Sequence, residues 1–135
     1  MFLIGFPLLL VPFALYNMIA FLLNLDFGTA VFTISATSGR ITVSAGDMLV
    51  LLGIFLLYFE MLKSTRMSSK KIMDHALSVI LFVAMLTEFI TVQRAATSTF
   101  LILLTLSFVD VIGGFTISIR TASRDVTFET PDRTP

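Results

Sequence analysis

The chain has 135 residues, of which 56% are apolar and 13% charged, with nine Lys and Arg against nine Asp and Glu. With a mean hydropathy of +0.97, this composition excludes a disordered chain, a nucleic-acid binder with a basic face and an ordinary water-soluble enzyme domain. The sequence has no cysteine, which removes disulfides, iron–sulfur clusters, thiolate zinc sites and redox dithiols.

What remains is an integral membrane protein. A helix needs about 20 apolar residues to cross a hydrocarbon core of roughly 30 Å. Four stretches approach or meet that length, at about residues 2–23, 47–62, 72–92 and 99–119. The expected fold is therefore all-α: one membrane domain over residues 1–135, built as a four-transmembrane-helix antiparallel bundle.

The first stretch, Phe2 to Leu23, has no basic leader and no small-residue cleavage site, so it reads as a permanent helix and not a signal peptide. Pro7 lies in its first turns, where proline is tolerated. Pro12 is expected to kink it. Asn17 is its one strongly polar residue at membrane depth.

Residues 24–46 carry strand patterning. Ala30 to Ala36 and Ile41 to Ser44 alternate, with Phe32, Ile34, Ile41 and Val43 on one face and Thr33, Ser35, Thr42 and Ser44 on the other. Thr37-Ser38-Gly39-Arg40 between them is a turn-like cluster. A short extracytoplasmic β-hairpin over about 30–44 is expected. Its apolar face would rest on helix ends or lipid headgroups, or an edge strand would be offered to another subunit.

Asp47 is placed to N-cap the second helix. That helix is the shortest, which a bilayer accommodates at a cost of fractions of a kcal/mol per Å. Gly46, Gly53 and Glu60 share one of its faces, which points to close contact with a neighbouring helix. The segment KSTRMSSKK, Lys63 to Lys71, is short and basic, as expected of a cytoplasmic loop near anionic lipid.

The third helix opens with Asp74 and His75 and carries a face of positions 74, 78, 81, 85 and 88, ending at Glu88. Glu88 has Arg94 and Gln93 as near partners, with Asn17 at a comparable depth. The turn Gln93 to Ser98 is tight, so the third and fourth helices form an antiparallel pair.

In the fourth helix, Asp110 lies roughly 16 Å from either end at 1.5 Å per residue. No basic residue is placed to reach it at that depth. An ionisable residue there is costly and marks a candidate site. Ser107, Asp110, Gly114 and Ser118 share a face with Gly113 beside them, a small, polar stripe that admits another backbone. Arg120 ends the span and would join Glu60, Asp74 and His75 in an interfacial polar cluster. The tail, residues 120–135, is polar and is expected to be disordered.

Orientation follows from the short loops. Lys63, Arg66, Lys70 and Lys71 lie on one side with Arg120, Arg124 and Arg133, against Arg40 and Arg94 on the other. The positive-inside rule puts both termini in the cytoplasm. The lone His75 provides no metal-ligand spacing, and no catalytic motif, metal site or cofactor-binding pattern appears.

In size and span number the chain is similar to small multidrug-resistance exporters and to dual-topology fluoride channels. It lacks the exporters' acid and Trp and the channels' glycine and arginine motif. The stretches DHALSVILFVAMLTEFI (Asp74 to Ile90) and ATSTFLILLTLSFVDVIGGFTISI (Ala96 to Ile119) resemble those of small uncharacterised four-helix inner-membrane proteins of proteobacteria. That resemblance implies a bacterial inner membrane and no particular activity. The expected function is non-enzymatic. It rests on helix–helix association, as an accessory or assembly subunit or a homo-oligomer, with the lipid bilayer and another membrane protein or a second copy as partners. The alternative is a small proton- or cation-coupled transporter or channel subunit using Asp110.

Overall fold

The computed structural model describes residues 6–65 and 71–129. The chain runs α1 (Leu10–Leu22), β1 (Ala30–Ala36), β2 (Gly39–Ser44), α2 (Ala45–Ser64), α3 (Lys71–Thr91), a 3-10 turn (Gln93–Ala95) and α4 (Ser98–Glu129). Among the described residues, α2, α3 and α4 are long and apolar enough to cross a membrane, and α1 is shorter.

The order of contacts gives the helix directions. Along α2, Gly46 lies against Thr99, Gly53 against Leu103 and Leu106, and Met61 against Gly113. Helices α2 and α4 therefore run parallel, meeting at steps near seven residues. Helix α3 is antiparallel to α4, since Phe89 faces Phe100, Phe82 faces Phe108 and His75 stacks on Phe115. Helix α1 is antiparallel to α2. Its start is tied to Glu60 and Lys63, and its end to Arg94.

The bundle is apolar outside, and its mainly apolar core of residues such as Leu49, Leu81, Met85 and Phe100 also holds polar side chains. Phe55, Ile80, Ile90, Phe108 and Ile112 are exposed, while Glu60, Ser78, Ser107 and Asp110 are buried. That is the distribution a lipid solvent requires. Lipid tails are as apolar as leucine, so close fit and hydrogen bonds, more than burial of apolar area, hold such helices together. The glycines of α2 and α4 supply the close fit. A Cβ on Gly46 would come within 2.5 Å of the Thr99 hydroxyl, and one on Gly113 within 2.5 Å of the end of Met61.

Four expectations change. First, the described helix α1 starts at Leu10, not near residue 2; residues 1–5 lie outside the described part. Pro12 falls in its first turn, where its missing N–H costs nothing. The irregularity lies further on, in a π-helical turn at Met18–Leu22, where Leu23 N–H bonds back to the Met18 carbonyl. Second, Ser44 and not Asp47 is the N-cap of α2. Asp47 closes a capping box: its N–H donates to Ser44 Oγ (3.1 Å), and the Ser44 N–H donates to Asp47 Oδ2 (3.0 Å).

Third, α4 does not stop near Ile119 but continues to Glu129, so the first part of the tail is helical. No Gly or Pro interrupts Arg120 to Thr130, and the first breaker is Pro131. Fourth, the hairpin turn has two residues and not four, with β2 starting at Gly39 and not Ile41, and of the supports expected for its apolar face the helix ends cover little. All of β1 is exposed, and only the last two residues of β2 are half-buried. Its expected faces are otherwise as the strands pair them, with Phe32 opposite Val43, Ile34 opposite Ile41 and Thr33 opposite Thr42. The tight turn is Thr37-Ser38, and Gly39 after it takes φ +149°, which its missing side chain permits. The basic-loop residues 66–70 lie outside the described part.

Candidate functional site

Helices α2, α3 and α4 bring together a buried polar group near the Lys63 end of the bundle. Asp110 on α4 is 3% exposed and Glu60 on α2 is 4% exposed. Ser78 on α3 hydrogen-bonds the Asp110 side chain, and the charges of Glu60 and Lys63 both act on Asp110. Asp74 lies within electrostatic reach of Glu60. One of its carboxyl oxygens, Oδ1, is buried without a hydrogen-bond partner among the described residues. Ser107, one turn before Asp110, is fully buried beside it.

Glu60 also has a backbone task. It accepts the Leu8 N–H (3.1 Å) and pairs with Lys63 (3.4 Å), while Lys63 Nζ donates to the Phe6 carbonyl (2.6 Å). Phe6 to Leu9 is not regular helix, so its polar backbone groups need partners away from water. Glu60 and Lys63 supply them.

Parts of the expected picture change here. A basic residue does reach the field of Asp110, namely Lys63, because α2 runs parallel beside α4 and carries Lys63 toward the same end of the bundle. Arg120 stays exposed on α4 and makes no ion pair among the described residues. The interfacial group is thus Glu60, Lys63, Asp74, Ser78 and Asp110, with His75 stacked on Phe115 (4.8 Å between centroids) at its edge. Gly53, Gly113, Gly114 and Ser107 all face the interior, with Gly53 and Gly113 packed against the chain's own helices. The side chain of Ser118 lies outside the described part.

A second polar layer sits toward the other end. Asn17 Nδ2 donates to Glu88 Oε2 (3.4 Å) and to its own helix at the Phe13 carbonyl (3.1 Å). Arg94 does not pair with Glu88. It donates to the Ala20 carbonyl and Asn24 Oδ1 and lies over the Phe21 ring. The π-helical turn leaves the Ala20 carbonyl available, and Asn24 leaves the helix with φ +51°, so the guanidinium caps the end of α1.

Tyr16 is the residue that sequence reasoning missed. It is fully buried. Its hydroxyl donates to the Arg94 carbonyl (3.0 Å) and shares a hydrogen bond with Thr97 Oγ1 (2.7 Å). Its ring stacks on Phe27 and meets Phe100 edge-on. A tyrosine inside an apolar run, one of two in the chain, was the available signal, because a buried phenol needs a partner.

Among the described residues no group of three or more acids or histidines is arranged to hold a metal ion. Compared with protein-family models, curated proteins and solved structures, the chain matches none.

Proposed function

We propose that this is a small polytopic membrane protein with four spans, working by association with other polypeptides and not by catalysis. Contacts at both ends of α1 support the fourth span. Phe6 and Leu8 meet the C-terminal end of α2, and Ala20 and Asn24 meet Arg94 in the α3–α4 turn. The helix Leu10–Leu22 covers about 18 Å at the helical rise, and the irregular residues before and after it extend the segment to those contacts. The positive-inside distribution places both termini in the cytoplasm, and a bacterial inner membrane is the proposed location.

The observation that carries the association reading is the hairpin. Val31, Phe32, Ile34 and Ile41 are all about half exposed, and both strands have a free edge because, among the described residues, the sheet has two members. A lone hairpin is marginal in water. Lipid could cover its apolar face and water its edges, each supplying only one of the two. A strand from another polypeptide does both. The chain's lack of cysteine gives a clean background for crosslinking. Single cysteines introduced in place of Val31 and Ile41 are expected to form polypeptide adducts in native membranes. No adduct from either position would overturn the reading.

Asp110 and Glu60 favour a second reading, a proton- or cation-coupled transporter or channel subunit, because both acids are buried and lie close together between three helices. Asp110→Asn keeps the shape and cannot ionise. Loss of proton-coupled flux in vesicles with assembly intact would establish that reading. Wild-type behaviour in both would leave Asp110 as a packing residue.

A further inference from the structure

At the end of the bundle opposite Lys63, a cavity of about 360 Å³ opens beside the close of α1. It falls in the size range of small-molecule sites, about 300–1,000 Å³. Its polar wall is Asn24, Asp26, Arg94 and Thr97, and Ala20, Leu25 and Phe27 complete it.

The wall carries one cation and one anion that do not pair with each other. Arg94 spends Nη1 on the Ala20 carbonyl and Asn24, which fixes the guanidinium in place. Its other N–H groups have no acceptor among the described residues. Asp26 accepts the Gly28 N–H on Oδ1 (3.1 Å), and among the described residues Oδ2 has no donor. The Arg94–Asp26 ion pair is absent although both line the same small space. The adjoining rim is apolar and open: Phe21, Leu23 and Leu25 are about half exposed and Leu22 is 77% exposed.

We propose that this cavity binds a phosphate–ammonium zwitterion, supplied by the headgroup of phosphatidylethanolamine. The free N–H groups of Arg94 would hold the phosphodiester as a charge-assisted fork. The ammonium would donate to Asp26 Oδ2, and the acyl chains would lie along Leu22 and Leu23. Phosphatidylglycerol offers the phosphate but leaves Asp26 facing a net negative charge. Phosphatidylcholine offers a cation with no N–H to donate. Soluble phosphoethanolamine carries the same two groups without the chains.

The test is lipid retention by the full chain, purified in mild detergent with equal amounts of the three lipids and read by native mass spectrometry. Phosphatidylethanolamine is expected in several-fold excess over phosphatidylglycerol. Asp26→Asn should bring the two to parity, because the amide oxygen of the substituted side chain still accepts the Gly28 N–H and the exposed site leaves the fold intact. Arg94→Gln should reduce retention of every lipid. Since Arg94 also caps α1, the Asp26 variant decides the matter. Displacement of bound lipid by phosphoethanolamine supports the site. Binding of phosphoethanolamine with no lipid preference keeps the zwitterion chemistry and overturns the lipid as its source. Equal retention of the lipids without phosphoethanolamine binding, or a preference unchanged by Asp26→Asn, overturns the proposal.

Discussion

Tyr16 joins three parts of the chain through one hydroxyl, reaching the α3–α4 turn at Arg94 and the start of α4 at Thr97. Tyr16→Phe keeps the ring packing and leaves the Arg94 carbonyl and the Thr97 hydroxyl short of a partner. A buried polar group left unpaired costs about 1–3 kcal/mol. The variant should unfold at lower temperature in detergent than wild type. Tyr58→Phe is the control, since Tyr58 is 60% exposed and should leave the midpoint unchanged. Equal midpoints for all three proteins would show that the Tyr16 hydroxyl contributes nothing. Asn17 and Glu88 follow the same principle: a half-buried polar side chain is costly alone, and each finds the other.

At the scale of elements, the parallel pair α2 and α4 depends on where a side chain is missing. The two closest approaches differ in what blocks them. At Gly46 an added Cβ meets the Thr99 hydroxyl at 2.5 Å and the Phe27 carbonyl at 3.2 Å, and backbone cannot step aside. At Gly113 it meets the end of Met61, a flexible side chain that can turn away. Gly46→Ala is therefore expected to destabilise by about 1–3 kcal/mol, as overpacking does, and Gly113→Ala by clearly less. Detergent unfolding of the two variants ranks them. The reverse order would mean that α2 and α4 are held elsewhere. The capping box acts at the same place. Ser44 and Asp47 end the strand and begin the helix within one turn, so the hairpin is joined to α2 without a linker.

At the scale of the whole molecule, the four-span proposal makes a labelling prediction. Phe6→Cys and Thr65→Cys should react with a membrane-impermeant thiol reagent from the cytoplasmic side. Thr37→Cys, in the hairpin turn, should react only from the other. Labelling of Phe6→Cys and Thr37→Cys from the same side would mean that α1 does not cross. Hydropathy and alternation in the sequence locate α2 and α3 to within about two residues, the hairpin and the side chains that share each of its faces, and the buried face of α3 at positions 78, 81 and 85. These properties are local: a run of apolar residues, a period of two, a period near 3.6. Helix α4 is legible as a span but not in its length, since its polar extension to Glu129 lacks the hydropathy that marks a crossing.

The sequence by itself determined that this chain carries spans apolar enough for lipid, where α2 and α3 lie, and which side chains share a face of the hairpin. The meeting of its polar groups was decided only in three dimensions. Asp110 reads as stranded along the chain, yet it lies in the field of Lys63 because α2 packs parallel to α4. Arg94 reads as the mate of Glu88, yet it caps α1 because the π-helical turn leaves a carbonyl within reach. The glycine faces read as open to another subunit, and those at Gly53 and Gly113 are filled by this chain's own helices. Helices that are apolar on every side carry little record of which face turns inward. Long side chains then choose partners by distance, which is a property of the packed bundle.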